Sequence, residues 1–561
     1  MATTHTTTSL QTAKTKFYQH QTLIYFITGI FIHIMIFVPF FALDGIFVQD
    51  DFAFHRLRLE NYVTAVQNGD FFPKIFPSMA NGYGYAADLF YPSILLLPYV
   101  GLRWLGFSYI NSFYLYHLLI SLATFFTAYL ALNKVFQSSN KAFIFAIIYS
   151  TATYRFLDQF IRGALGETLA FIFIPLVLWG FYEILSGKAK HGVVLAIGMA
   201  LLLYSHLITT FIVALVLLAV CFYLLVKHKL TMTHVFVIIK AALIAFALCA
   251  FTLLPMLEQS LSITFNFSQA NGIWFDALNY SMADLVIGSL KNSAAVWENL
   301  EPNIGILLLL SILVSFFSFK QQSKLVKSLT IVNLIVMVIA TNLFPWSIIK
   351  ESIFGIIQFP WRWLTILTFT ASLLATVKIS ENMSVIKSFL LTSFIILITS
   401  VSYSGNIIHQ FNQAQTNFIT NDNYADFFLS SVGGGREYIP VEANYQTLRE
   451  NKQALPQHSE AVTHERIANE YKSQTWLFIS DSDQEKVLLP NLTYVGYEVL
   501  IDDQPTEIMH EQGLITIQIP NGSHQVKITY VGTFIQKISL IVTLVTWLTI
   551  LLMGIFRRVR T

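Results

Sequence analysis

Apolar runs of roughly twenty residues recur along this 561-residue chain, and that length crosses the hydrocarbon core of a bilayer. They fall at about 22–42, 110–132, 141–158, 168–185, 191–205, 206–226, 236–257, 303–319, 328–344, 361–378, 387–404 and 536–556. Lipid offers no partner to a backbone N–H or C=O, so such runs have to be helices. The composition agrees. Hydrophobic residues make up 55% of the chain and charged residues 12%, against about 25% charged in a soluble domain. The expected fold is an α-helical polytopic membrane protein with about twelve transmembrane helices.

Basic residues set the orientation. Lys14/Lys16, Lys134/Lys141, Lys188/Lys190, Lys227/Lys229, Lys320/Lys324/Lys327, Lys378/Lys387 and Arg557/Arg558/Arg560 fall on one side only if the apolar stretch 89–107 does not cross. Pro92, Pro98, Arg103 and Trp104 suit that stretch to a helix lying at the interface. Both termini are then cytoplasmic. The first run, starting near Leu23, lacks a small-residue cleavage site and reads as a retained helix. The chain divides into a cytoplasmic N-terminus (1–21), a transmembrane domain (22–404) with an external loop 43–109, an extracytoplasmic region (405–535), and a last span with a basic tail (536–561). A further loop, 258–302, is also external. Residues 474–532 alternate as strands do, with turns at Asp502-Asp503 and Asn521-Gly522-Ser523, which predicts a small β-sandwich just before the last helix. The two cysteines, Cys221 and Cys249, both lie in apolar runs, which excludes a disulfide framework and a thiolate metal cluster.

Ionisable residues near span ends are costly, so their placement is informative. Asp50-Asp51 opens the segment after the first run, and the spacing of Asp51, His55 and Arg58 puts them on one helix face. Arg162-Gly163-Ala164-Leu165-Gly166-Glu167 starts the fourth span, Ser205-His206 separates two short spans, and Gln358-Phe359-Pro360-Trp361-Arg362 opens the tenth. All are expected on the outer side, where they can line one cavity. Each also has a plain reading: Asp50 or Asp51 as a helix cap or solvated loop residue, Arg162 and Glu167 as a structural pair, Arg362 as an interfacial anchor behind Trp361, His206 as a hydrogen-bonded turn residue. Glu258 and Glu301 read as solvated loop charges. There is no Gly-rich phosphate loop after a strand and no His-Glu-x-x-His zinc pair.

A set of motifs carries a family resemblance: Asp50-Asp51-Phe-Ala-Phe-His55-Arg-Leu-Arg58, Asn68-Gly69-Asp70-Phe-Phe-Pro73, Asn81-Gly82-Tyr83-Gly84-Tyr85, Phe90-Tyr91-Pro92, the Arg162–Glu167 and Gln358–Arg362 turns, Ser205-His206, and Glu437-Tyr438-Ile439-Pro440. The chain resembles the bacterial membrane proteins labelled as related to 6-pyruvoyl-tetrahydropterin synthase, and is similar to YfhO-type membrane proteins. The synthase label describes no reaction here, because neither a tunnelling fold nor a three-histidine zinc site is present. The resemblance implies a glycosyltransferase of the C superfold, with an acidic residue of the first external loop beside the catalytic centre. It also implies a polyprenyl-phosphate-linked sugar as donor.

On that reading, Asp51 or Asp50 is the general base for an inverting transfer. Arg162, Arg362 and His206 face the donor phosphate, with His55, Arg58, Glu167 and Gln358 in support. No cofactor is required. A divalent metal, if one takes part, belongs beside Asp50 and Asp51. The expected acceptor is a cell-envelope glycan, glycolipid, teichoic acid or protein at the outer face of the bacterial plasma membrane, and no nucleic-acid partner is expected. The β-sandwich reads equally as an acceptor-binding element or lid and as a spacer. Two other classes stay open: a transporter or flippase for lipid-linked sugars, and a non-catalytic envelope-assembly protein.

Overall fold

The computed structural model describes residues 19–188, 191–269, 279–296, 299–424, 431–433, 436–451 and 453–559. Lys14, Lys16, Lys190 and Arg560, and with them most of the expected N-terminal segment 1–21, lie outside the described residues.

Among the described residues, seven helices are long and apolar enough to cross a membrane: Gln21–Phe41, Tyr109–Phe136, Leu165–Leu185, Leu207–Val226, Pro360–Asn382, Val385–Gln413 and Phe534–Phe556. An eighth candidate is the pair Met232–Leu248 and Ala250–Ser262, which bends by 73° at Cys249. The other four expected spans correspond to shorter helices, Ser139–Ser150, Gly192–Ser205, Gly305–Phe317 and Lys324–Ile339, of 12 to 16 residues. At 1.5 Å per residue these are shorter than the hydrocarbon core is thick. Gly192–Ser205 and Gly305–Phe317 carry no charged residue, which marks a buried helix as readily as a span, while Ser139–Ser150 and Lys324–Ile339 carry lysines only in their first turns.

Residues 89–107 form short helices, the main apolar one being Ile94–Trp104. The loop 43–109 contains one substantial helix, α1 (Phe52–Gln67), with 11 of its residues buried. The expected boundary at 404 falls inside a helix, because the apolar period of Val385–Gln413 continues through the buried Ile407 and Phe411.

The exit of the first long helix is tied to a distant segment. Strand β1 (Ile46–Phe47) pairs antiparallel with β2 (Phe418–Ile419), and Val48 N–H donates to Asn417 O at 2.9 Å. Aromatic packing fixes the same helix to the bundle. Tyr25 stacks on Phe143 at 4.5 Å and Phe40 on Phe160 at 4.4 Å between ring centroids.

The C-terminal β region has two antiparallel sheets. One has the order β3 (Val462–Glu470), β4 (Ser473–Ser480), β10 (Gly522–Tyr530), β6 (Tyr497–Ile501), β7 (Gln504–Pro505); the other has the order β5 (Glu485–Leu492), β9 (Leu514–Ile519), β8 (Met509–Glu511). Trp476, Phe478, Val499, Val526 and Ile528 of the first sheet share one buried cluster with Val487, Leu489, Ile515, Ile517 and Ile519 of the second. Asp502 and Asp503 both take positive φ (47° and 63°), the geometry that turns a two-residue hairpin.

This β region is hydrogen-bonded onto the helical part. The buried Gln259 donates to Val495 O at 2.7 Å and accepts from Val495 N–H at 3.0 Å. Asn81 donates to the carbonyls of Leu448, Arg449 and Asn451 at 3.1–3.2 Å, and Leu492 N–H reaches Tyr83 O at 2.9 Å. The Asn81–Tyr85 motif thus holds the 405–535 region in place.

Candidate functional site

The site begins with a backbone irregularity. After Thr153–Phe156 the chain widens into one π turn, Leu157–Ile161, with Arg162 N–H donating to Leu157 O at 2.8 Å. Such turns bulge a helix and re-aim its side chains. Here the bulge brings Asp158 and Arg162 together: Arg162 Nη1 donates to Asp158 Oδ1 at 2.8 Å and to Glu167 Oε2 at 3.1 Å. All three side chains are at most 4% exposed.

Two glycines shape the approach. Gly163 has φ +64°, and a Cβ there would sit 2.7 Å from Gln49 Oε1. Gly166 lies in the first turn of Leu165–Leu185, where a Cβ would meet Tyr91 Oη at 1.6 Å and Ser205 O at 2.8 Å. The short motif therefore lets the loop 43–109 and the Ser205-His206 turn press directly onto the backbone beside Glu167.

Glu167 is the hub. Its Oε1 accepts from Tyr154 Oη at 3.0 Å and from Thr365 Oγ1 at 2.8 Å, while Oε2 faces Arg162 and lies 3.9 Å from Arg362 Nε. Arg362 is buried (8% exposed), so it is not an interfacial anchor in water. Its Nη1 donates to Gln358 Oε1 at 2.7 Å and to Ile357 O at 2.9 Å. Gln358 adopts φ +62° in doing so.

Asp51 stands across from this cluster. Its N–H donates to Arg162 O at 2.7 Å and its Oδ2 lies 4.0 Å from Arg162 Nη2. It occupies the N-cap position of α1, yet its side chain makes no capping hydrogen bond, so the cap reading does not account for it. The side chain keeps 42% exposure, but it is recessed into the protein. That recess, with Asp50 beside it, raises its pKa from the usual carboxylate range towards about 7, against the lowering pull of Arg162 and Arg362.

The remaining expected residues support the cluster from behind. Arg58 is 1% exposed; its Nη1 lies 3.0 Å from His55 Nδ1, its Nη2 donates to Tyr91 O at 2.9 Å, and its guanidinium sits 4.2 Å over the Tyr91 ring. Burial, then Arg58, push the His55 pKa well below normal, so the ring is neutral. Arg58 positions Tyr91 and Tyr91 fills the notch at Gly166. His206 does what its turn reading expects: Nδ1 accepts from Thr209 N–H at 3.3 Å and caps Leu207–Val226. That leaves Nε2 as the ring's remaining polar atom.

A cavity of about 540 Å³ opens on the cluster, lined by Asp50, Arg162, Tyr280, Asp284, Glu301, Phe359 and Trp361, with Asn279, Asn299, Leu300 and Pro302. Glu301, read from sequence as a solvated loop charge, belongs to this lining. Phe359 and Trp361 stack at 4.7 Å, and Tyr280 meets Trp361 edge-on at 5.9 Å. Carboxylates and aromatic faces together suit a polyhydroxylated ligand, and the two arginines behind them suit an oxyanion.

Asp158, Tyr154, Thr365, Tyr91 and Glu437 belong to this neighbourhood although sequence reasoning gave them no role. Asp158 had a usable signal, its i,i+4 spacing to Arg162. Glu437, whose carboxylate packs over Gly433, adds negative charge near Asp51. It precedes Tyr438, which stacks on Phe90 at 4.6 Å and hydrogen-bonds through its N–H to Tyr85 Oη at 3.2 Å.

Among the described residues, no group of three or more His, Cys, Asp or Glu side chains could hold a metal ion. Asp50 and Asp51 offer two carboxylates, which suit only an ion that arrives with a substrate phosphate.

The helices and the polar chamber at their ends define a polytopic membrane protein with a buried charged site. The profile of the bacterial membrane protein YfhO matches residues 80–430, more than half of the chain, and the chain belongs to the YfhO family of bacterial membrane proteins. That match includes Arg162, Glu167, His206 and Arg362 and begins after Asp50 and Asp51. An uncharacterized protein of Lactococcus lactis subsp. cremoris (strain MG1363) is 26% identical over 260 residues, which is 44% of this chain. The match covers 41% of that protein's length.

Proposed function

We propose that this chain is a membrane glycosyltransferase of the C superfold, moving a sugar from a polyprenyl-phosphate donor to a cell-envelope acceptor at the outer membrane face. We read the shorter apolar helices as further membrane segments, giving about twelve, and the two β sheets as a sandwich. The observation that carries the reading is the uncapped Asp51 carboxylate, 4.0 Å from Arg162, which with Asp50 lines an aromatic and acidic cavity.

In the proposed step the acceptor hydroxyl oxygen attacks the anomeric carbon of the donor sugar. Its proton passes to Asp51, with Asp50 the alternative base. The bond between the anomeric carbon and the phosphate oxygen breaks, and the polyprenyl phosphate leaves with the electron pair. Arg162 and Arg362 face the charge that develops on that phosphate, His206 Nε2 adds a donor, and Glu167 and Gln358 hold the guanidiniums. Three carboxylates, Asp51, Asp158 and Glu167, already surround the two arginines. A proton captured by Asp51 removes one negative charge as the phosphate gains one, so base action and leaving-group stabilisation reinforce each other. No step is routed through a metal.

The test is transfer from a radiolabelled polyprenyl-phosphate sugar in membranes holding this protein or its Asp50→Asn and Asp51→Asn forms. Transfer that vanishes in one folded variant supports the reading and names the base. Full activity in the double variant sinks it.

A further inference from the structure

A second cavity, of about 120 Å³, lies where the loop 43–109, the bend at Cys249, the end of β10 and the last helix meet. Its lining includes Lys74, Lys472 and Lys537 and no carboxylate, with Phe72, Phe251 and Leu540 as its apolar wall. Three lysines around one small space with no carboxylate in its lining favour an anion there, although Lys472 is already paired with Asp70.

Lys74 is the informative one. It is 7% exposed, in a loop rather than at a span end, so it does not snorkel to water. Its Nζ donates to Phe251 O at 2.8 Å and lies 4.8 Å over the Phe251 ring. An ammonium has three donors, and the carbonyl uses one. The neighbouring carboxylate Asp70 is taken up by Lys472. Burial pushes the Lys74 pKa down to about 8, with Lys472 adding to the push and Asp88 and Asp70 opposing it. A buried cation with unspent donors, facing a cavity without carboxylates, is a poor structural device and a good anion receptor.

The two helices that supply Phe251, Lys537 and Leu540 to the lining carry exposed apolar side chains. Phe534 is 77% exposed, Leu257 53% and Leu261 79%, and Ile538 and Ile541 are exposed on the same helix as Lys537. Such faces on membrane helices meet acyl chains.

We infer that this pocket binds the phosphate headgroup of an anionic phospholipid, its acyl chains lying along the exposed face of the last helix. The site is separate from the Asp51–Arg162 chamber and stands whether or not the chain transfers sugar. A bound lipid there would clamp the last helix, the bent pair and the β region together.

The full-length protein in detergent is titrated with short-chain phosphatidylglycerol, with short-chain phosphatidylcholine and with inorganic phosphate, and binding is read directly. Phosphatidylglycerol is expected to bind tightest. Lys74→Gln and Lys537→Gln should each weaken it roughly fivefold, from about one juxtamembrane charge apiece. Lys486→Gln, on β5 and in an exposed pair with Glu511 of β8, should leave it unchanged. Lys537 is exposed, so its variant remains informative if Lys74→Gln fails to fold. Unchanged phosphatidylglycerol binding in Lys537→Gln overturns the proposal. Inorganic phosphate binding as tightly as the lipid overturns the lipid assignment in favour of a soluble anion.

Discussion

Glu167 Oε2 accepts from Arg162 Nη1 at 3.1 Å, and the two residues are both almost wholly buried. The same oxygen faces Arg362, so one carboxylate holds two guanidiniums in place. Glu167→Gln would put an amide against two buried cations. Breaking a buried pair this way costs about 3–5 kcal/mol. The expected result is a large fall in Tm of the purified protein, read by thermal unfolding in detergent. A variant as stable as the parent would show that the pair contributes little.

Asp51 behaves oppositely. Its folded-state pKa lies above its unfolded value, so ionising it costs the fold something, and that cost appears as pH rises through about 7. Asp51→Asn should therefore keep or slightly raise Tm, and on the proposed function it abolishes transfer if Asp51 rather than Asp50 is the base. If Asp51 is the base, the rate rises with pH through that same region, because only the carboxylate accepts a proton. A flat pH profile between 5 and 8, as a range of about three units around the carboxylate and histidine values, would remove Asp51 from the reaction.

Gly166 is a steric test of how the loop docks. Gly166→Ala places a methyl 1.6 Å from Tyr91 Oη. Overpacking of this kind costs about 1–3 kcal/mol or more. Combined with Tyr91→Ala, the loss should be clearly less than the sum of the two single losses, measured as a double-mutant cycle on thermal stability. Additive losses would mean that the two elements do not press on one another.

Topology is tested by labelling. With Cys221→Ser and Cys249→Ala as background, Ser108→Cys at the N-cap of Tyr109–Phe136 should react with a membrane-impermeant maleimide added to intact cells. Reaction only after permeabilisation would place that loop, and the chamber with it, in the cytoplasm.

Long apolar runs were legible in the sequence because length and composition suffice for them. The short helices were harder. Gly192–Ser205 and Gly305–Phe317 are as apolar as any span, and hydropathy does not register that they stop after 14 and 13 residues. In the β region, β4, β6, β9 and β10 were visible through alternation. Strand β3 was not, since its residues Thr463–Glu470 face outward or stay half-exposed and only Val462 is buried. At the site, Arg162, Glu167, Arg362 and Gln358 were legible as charged or polar groups beside apolar runs. The π turn that swings Asp158 onto Arg162 was not, because no residue type announces an i→i+5 bond. Tyr154 and Thr365 read as ordinary helix residues; only three-dimensional packing makes them donors to Glu167.

The two-residue ladder between β1 and β2 has a consequence for how the protein is made. Ile46 and Phe47, a few residues before Asp50-Asp51, wait for partners at Ile419 and Phe418. At a synthesis rate of about 5–20 residues per second, the ribosome needs on the order of twenty seconds to a minute to deliver them. Throughout that interval the acidic loop lacks its β-ladder tether while most of the helices are already inserting. The order of synthesis therefore acts as a timer, and the tether on the acidic loop closes only after roughly three quarters of the chain (419 of 561 residues) has been made.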